Sequence, residues 1–201
     1  PDWGNPASTW DTTNYTINNT PQIAEFGARW FGELGGLAQL RATGKPFTVS
    51  EYDHPAPSDY ACEMYPVVAT FAGLQDWDGI YTFDTVALGA EPDDGSIRTF
   101  FDQNHHAAKW SFGPFATRVF RQGWVPPLKA QRELRVSAPF WSEANHVDVL
   151  WLKHQPQEDL NFITARLSVS EQLLPAGAAT HVERSGGPQP GAERVRLYKD
   201  V

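Results

Sequence analysis

From Ala28 to Thr43 the apolar residues Trp30, Phe31, Leu34, Leu37 and Leu40 recur at helical spacing, and Gly44 follows as a C-terminal stop. The run Lys45–Tyr52 is β-rich and ends beside an acid, Glu51. A stiff loop, DHPAPSD at 53–59, separates it from a second amphipathic helix running to about Leu74. In that helix Met64, Val67, Val68, Phe71 and Leu74 share one face, and Pro66 must lie in its first turn or kink it. Asp76-Trp77-Asp78 makes a turn into a short strand, Gly79–Asp84. A polar loop then leads to a third helix around Ala107–Arg121, closed by Gly123. Helix, strand, helix, strand, helix with intervening turns predicts parallel βαβ units, and so an α/β fold.

Both ends of the chain read differently. Residues 1–27 are rich in Asn, Thr, Pro and Trp without periodicity, which predicts a long ordered loop. After Pro126-Pro127, His146–Lys153 and Asn161–Ser170 alternate in the manner of strands, and Ala176–Arg194 reads as a Gly/Pro-rich connector. The expected organisation is an α/β part over 1–125 and, over 126–201, a β-rich annex or the start of an accessory β-domain.

Composition narrows the function classes. A net charge of −8 argues against a nucleic-acid partner. No apolar run approaches the roughly 18 residues of a membrane-spanning helix. Cys62 is the single cysteine, so no internal disulfide and no cysteine zinc motif is expected. Eight tryptophans are many for 201 residues and point to aromatic surfaces. The chain opens on Pro1-Asp2-Trp3 and ends soon after a strand-like run, and we read it as an excerpt of a longer protein.

In parallel α/β architectures functional groups collect at the C-terminal ends of strands. Two acids stand there, Glu51 and Asp84, neither offset by a neighbouring Lys or Arg. The plain reading of either acid is a turn cap or an acceptor of loop amide hydrogens, and for Asp84 alone that is the stronger reading. Glu51 is followed by Tyr52, Asp53 and His54, all able to hydrogen-bond a ligand. A metal site assembled from His105-His106 with Asp102, or from Glu51, Asp53 and His54, lacks a ligand spacing that supports it, because adjacent histidine side chains diverge. There is no Gly-rich phosphate loop and no G-x-S-x-G elbow, and no cofactor is implied.

The stretch GKPFTVSEYDHP at 44–55 resembles strand seven of the clan A glycoside hydrolases. The stretch AGLQDWDGIYTF at 72–83 resembles the passage from helix seven to strand eight in large, multi-domain bacterial members. Residues 97–125 would be the approach to helix eight and that helix, and the Trp/Asn-rich opening resembles the long loop leaving strand six. The resemblance covers about residues 1–125 and implies the C-terminal portion of a (β/α)8 TIM barrel, strands seven and eight with their flanking helices, followed by a β-rich segment.

By this resemblance Glu51 is the catalytic nucleophile of a retaining enzyme acting on a β-linked oligo- or polysaccharide. Its acid/base partner, a Glu at the end of strand four, would lie upstream of Pro1, so these residues alone are expected to be inactive. Trp3, Trp10, Tyr15, Tyr52 and His54 are the candidate walls of sugar subsites, with Tyr81 and Asp84 as further substrate contacts. The strand-eight aromatic of the clan is not a Trp here; Tyr81, Phe83 or neither fills that role. Trp30 and Trp77 are expected to pack. The implied partners are a carbohydrate and the remainder of the parent polypeptide, at an extracytoplasmic address. A different class of protein, a carbohydrate-binding or scaffolding barrel without catalysis, would share these features except for a Glu facing Glu51 from strand four.

Overall fold

The computed structural model describes residues 3–4, 14–17, 19–22, 32–86, 93, 95–97, 99–137, 151 and 165–186. In chain order the elements are β1 (Trp3–Gly4), β2 (Thr16–Ile17), α1 (Gly32–Ala38), β3 (Thr48–Tyr52), a 3₁₀ turn (Ala61–Glu63), α2 (Met64–Gln75) and β4 (Gly79–Thr82). They continue with α3 (Ala107–Trp110), α4 (Gly113–Arg121), β5 (Gln131–Arg135), β6 (Arg166–Val169) and β7 (His181–Ser185). The fold is mixed α/β with small sheets, and among the described residues no sheet closes on itself. Two compact units interleave along the chain: unit 1 takes Pro1–Ala24, Thr48–Thr70 and Gly79–Val125, and unit 2 takes Glu25–Phe47, Phe71–Asp78 and Pro126–Val201.

Unit 1 is organised by a parallel pair, β3 and β4, joined through α2 as the alternating pattern predicts. Val49 pairs with Ile80 and Tyr52 with Thr82, so Ser50 and Glu51 together stand opposite Tyr81. Two residues against one is a β-bulge, which bends the strand and re-aims its side chains. Val49 and Tyr52 are buried, whereas Ser50, Glu51 and Tyr81 are exposed. Met64, Val67 and Val68 of α2 are buried, as their spacing requires, and Pro66 sits in the first turn, where its missing N–H costs no helical bond.

The third expected helix is two helices. Gly113 and Pro114 end the run at Trp110 because the proline ring cannot continue an upstream helix, and α4 restarts with Pro114 in its first turn. Gly123 closes α4 at φ +63°, a left-handed conformation glycine adopts freely. Ala116 and Val119 of α4 pack with Ala69 of α2, flanked by Tyr65, Phe120 and Val125. The aperiodic opening contains a two-residue antiparallel ladder, Trp3 to Ile17 and Gly4 to Thr16.

Unit 2 holds the three-stranded sheet β6-β5-β7, parallel between β5 and β6 and antiparallel between β5 and β7. Leu134 and Leu167 are fully buried at its centre. The last turn of α2 is joined to β6 by Gln75, whose Nε2 donates to the Ala165 carbonyl at 2.9 Å while its Oε1 accepts the Leu167 N–H at 2.9 Å. Asp76 is paired with Arg41 and Arg166. Trp77 packs its ring against Phe47 and Phe71, the structural role expected of it.

Several expectations need correction. Helix α1 stops at Ala38 rather than Thr43, because residues 41–43 leave it to run beside β6: Val169 N–H donates to the Arg41 carbonyl at 2.7 Å and Thr43 N–H to the Val169 carbonyl at 2.9 Å. Leu40 is consequently exposed, and Gly44, at φ +75°, serves a turn rather than the helix end. The 176–194 connector contains a strand, β7, and the segment after Pro127 begins with another, β5. Trp151, expected in a strand, has helical backbone and is fully buried, its indole N–H donating to the Gln39 carbonyl at 3.1 Å. Trp10, Trp30 and the remainder of 146–153 lie outside the described residues.

Candidate functional site

The C-terminal ends of β3 and β4 carry the chemistry of unit 1. Glu51 is exposed on the bulge, across from Tyr81, which is 63% exposed. The ladder continues one step, with Phe83 N–H donating to the Tyr52 carbonyl at 3.1 Å. Phe83 is also exposed on one side and meets Phe101 edge-on at 5.4 Å. Phe101 touches Phe100, and Phe100 touches Tyr15, with ring centroids 4.3 and 4.8 Å apart. An aromatic row thus leads away from the strand ends. Tyr15 is anchored in it by donating its hydroxyl to the Ala56 carbonyl at 2.8 Å, and burial raises its pKa.

Tyr52 and His54 are placed differently from the expectation. Both are buried, at 5% and 1% exposure, and so are not the sugar-facing walls inferred for them. Alternation turns Tyr52 away from the exposed side of β3, and its hydroxyl donates to Gln22 Oε1 at 2.7 Å. His54 Nε2 lies 2.8 Å from the same oxygen. An amide oxygen only accepts, so in this contact Nε2 is the donor. Burial holds the His54 pKa down at about 3, so the ring is neutral. Gln22 is fixed in turn by donating its backbone N–H to Glu63 Oε2 at 2.7 Å.

Beneath the strand ends lies an ion pair. Asp53 Oδ1 is 2.6 Å from Lys109 Nζ, with side chains 2% and 0% exposed. The same oxygen accepts the His54 N–H at 2.5 Å. Burial pushes the Asp53 carboxyl up to about 7 against the opposing pull of Lys109, and burial pushes Lys109 down against the pull of Asp53, Asp102 and Asp84. Asp84 turns its Oδ1 into a buried position without a hydrogen bond, so that oxygen caps no loop amide. Burial, reinforced by Asp102, raises its pKa. Asp102 accepts from the Thr99 N–H and hydroxyl. Gln103 accepts the Tyr65 hydroxyl at 2.5 Å.

The structure therefore sets Glu51 and Tyr81 opposite one another in the β3–β4 register, places Tyr15 on the adjoining aromatic row, and sets Tyr52 and His54 as buried supports. Asp84 follows β4, and Trp3 is described only through its backbone pairing in β1. Sequence reading missed Lys109. Its one signal was weak: a lysine on a short helix with no acid three or four residues away. His106 stands at the N-cap position of α3 without a side-chain capping hydrogen bond, and Cys62 is an exposed thiol in the 3₁₀ turn. Among the described residues no group of three or more His, Cys, Asp or Glu is arranged to hold a metal ion, and no helix is long and apolar enough to cross a membrane. No family model matches the chain, and no curated protein or solved structure matches it either.

Proposed function

We propose that the chain contributes strands seven and eight of a retaining glycoside hydrolase barrel, with Glu51 as the nucleophile. The observation that carries this reading is the exposed Glu51 on a bulge at the end of a parallel β-α-β pair, opposite the exposed Tyr81 in register. Bulges of this kind occur at barrel rims and beside active sites, where they aim a side chain. A carboxylate bordered by open aromatic rings is suited to a sugar: the rings stack on C–H faces and the carboxylate reaches the anomeric carbon.

In this reaction a Glu51 oxygen attacks the anomeric carbon as the bond to the leaving oxygen breaks. A second carboxylic acid, about 5–5.5 Å from the first, protonates that oxygen. Water then attacks the anomeric carbon while giving a proton to the same acid/base group, and the bond to Glu51 breaks to release its carboxylate. The acid/base comes from strand four, outside these 201 residues. The substrate is a β-linked oligo- or polysaccharide, and an extracytoplasmic address goes with such a substrate.

The test is covalent. A 2-deoxy-2-fluoro glycoside with a good leaving group, incubated with the polypeptide carrying these residues, should leave its label on Glu51 when peptides are mapped by mass. A label on Asp84 or elsewhere sinks the assignment. Saturable glycan binding without label or turnover supports the carbohydrate-binding barrel instead.

A further inference from the structure

The only buried lysine among the described residues is Lys109, and its surroundings are specific. Its ammonium contacts Asp53, which follows the last residue of β3 and stands two residues beyond Glu51. It also acts electrostatically on Asp84, two residues beyond β4, and on Asp102 of the loop preceding α3. The remaining titratable groups that feel it are His54 and His106, whose protonation its charge disfavours. One side chain from α3 thus contacts the carboxylate that follows β3 and feels the charge of the one that follows β4. A buried ion pair is weak evidence for stability, because a well-packed apolar pair of similar volume is often as stable or more so.

We propose that Lys109 is a positioning residue of the Glu51 site: its ammonium fixes the end of β3 through Asp53 and draws the end of β4 toward it through Asp84, so that the bulge presents Glu51 in one geometry. This rests on the reading of Glu51 as nucleophile. Two backbone bonds report the register it holds, Phe83 N–H to the Tyr52 carbonyl at 3.1 Å and Asn104 N–H to the Thr85 carbonyl at 3.2 Å. Lysine meets Asp53 as a compact charge on a flexible stem, whereas arginine's planar fork is matched to a bidentate partner.

Lys109→Met alone strands the Asp53 carboxylate in the interior, so the decisive variant is Asp53→Asn with Lys109→Met, which removes both charges at nearly constant volume. It is made in the polypeptide that carries the site and read three ways: thermal unfolding, amide hydrogen exchange, and kcat with KM on an aryl β-glycoside. The folded double variant should exchange the Phe83 and Asn104 amides about tenfold faster than the parent, because their local opening is no longer restrained. Its kcat should fall by about 10- to 100-fold, the usual consequence of a small misplacement at the reacting centre, with KM within about threefold. Wild-type exchange at both amides overturns the proposal, as does a kinetic loss that appears in KM alone. If the double variant does not fold, Asp84→Asn decides. It leaves the Lys109–Asp53 contact in place and should speed exchange at Asn104; unchanged exchange there overturns the proposal.

The two readings fail separately. Absence of the fluoroglycoside label from Glu51 refutes the nucleophile while the exchange result stands. Unchanged exchange refutes the role of Lys109 while the label stands.

Discussion

The Nε2 of His54 and the Oε1 of Gln22 lie 2.8 Å apart in a buried position, 32 residues distant in sequence. The contact makes the imidazole a donor and leaves no room for a cationic ring without the cost of burying its charge. Because the folded pKa is held down to about 3 while the unfolded ring titrates near 6.5, His54 supports folding fully above pH 6.5. That support is lost as pH falls from about 6.5 toward 3, with a slope approaching 1.4 kcal/mol per pH unit for one proton. Urea midpoints measured from pH 7 to 4 should show this slope, and His54→Gln should flatten it by close to one proton. An unchanged slope in the variant would show that His54 is not the group responsible.

Glu51→Gln should leave the fold intact, since an exposed substitution of equal size shifts stability by no more than about 0.5 kcal/mol. Turnover should fall roughly a thousandfold or more, because the covalent step is removed. Calorimetric titration with an oligosaccharide should still show binding. Retained turnover would count against Glu51 directly.

Tyr81→Ala removes an exposed ring opposite Glu51 and is expected to act on binding. Losing one aromatic platform should weaken substrate affinity by roughly tenfold, equivalent to about 1.4 kcal/mol. The melting temperature should hardly move. A large drop in melting temperature would mean that the ring packs instead of facing ligand.

Gln75→Leu tests unit 2. It leaves the Ala165 carbonyl and the Leu167 N–H without their side-chain partners in a buried place. Two stranded backbone groups cost about 2–6 kcal/mol together. Chemical denaturation should show a loss in that range, and a change below about 0.5 kcal/mol would contradict the bridging role.

How much of this was legible in the sequence depends on how much apolar area each element buries. β3, α2 and β4 could be read because Val49, Met64, Val67, Val68 and Phe71 fall at the spacing their elements demand. β5 and β7 could not. Within Gln131–Arg135 and His181–Ser185 the apolar residues are Leu134 and Val182 alone, and the remaining positions are polar or charged. Cross-strand pairing to one another, aided by Arg135 with Glu183, makes these segments strands. The candidate site was readable where an acid follows a β-rich run, as at Glu51. It was unreadable where a tertiary partner decides, as for Lys109, whose carboxylate lies 56 residues away.

The interleaving of the two units bears on how the chain leaves the ribosome. Unit 2 gathers residues from three stretches, the last beginning at Pro126. Leu34, Ala38, Phe71 and Trp77 emerge early, yet β5, β6 and β7, which complete the sheet of their unit, emerge last. At roughly 5–20 residues per second this leaves those apolar groups waiting several seconds for their sheet. During that interval they are natural ligands for a holding chaperone, and a ribosome stalled between Val125 and Arg166 would display them for as long as the stall lasts.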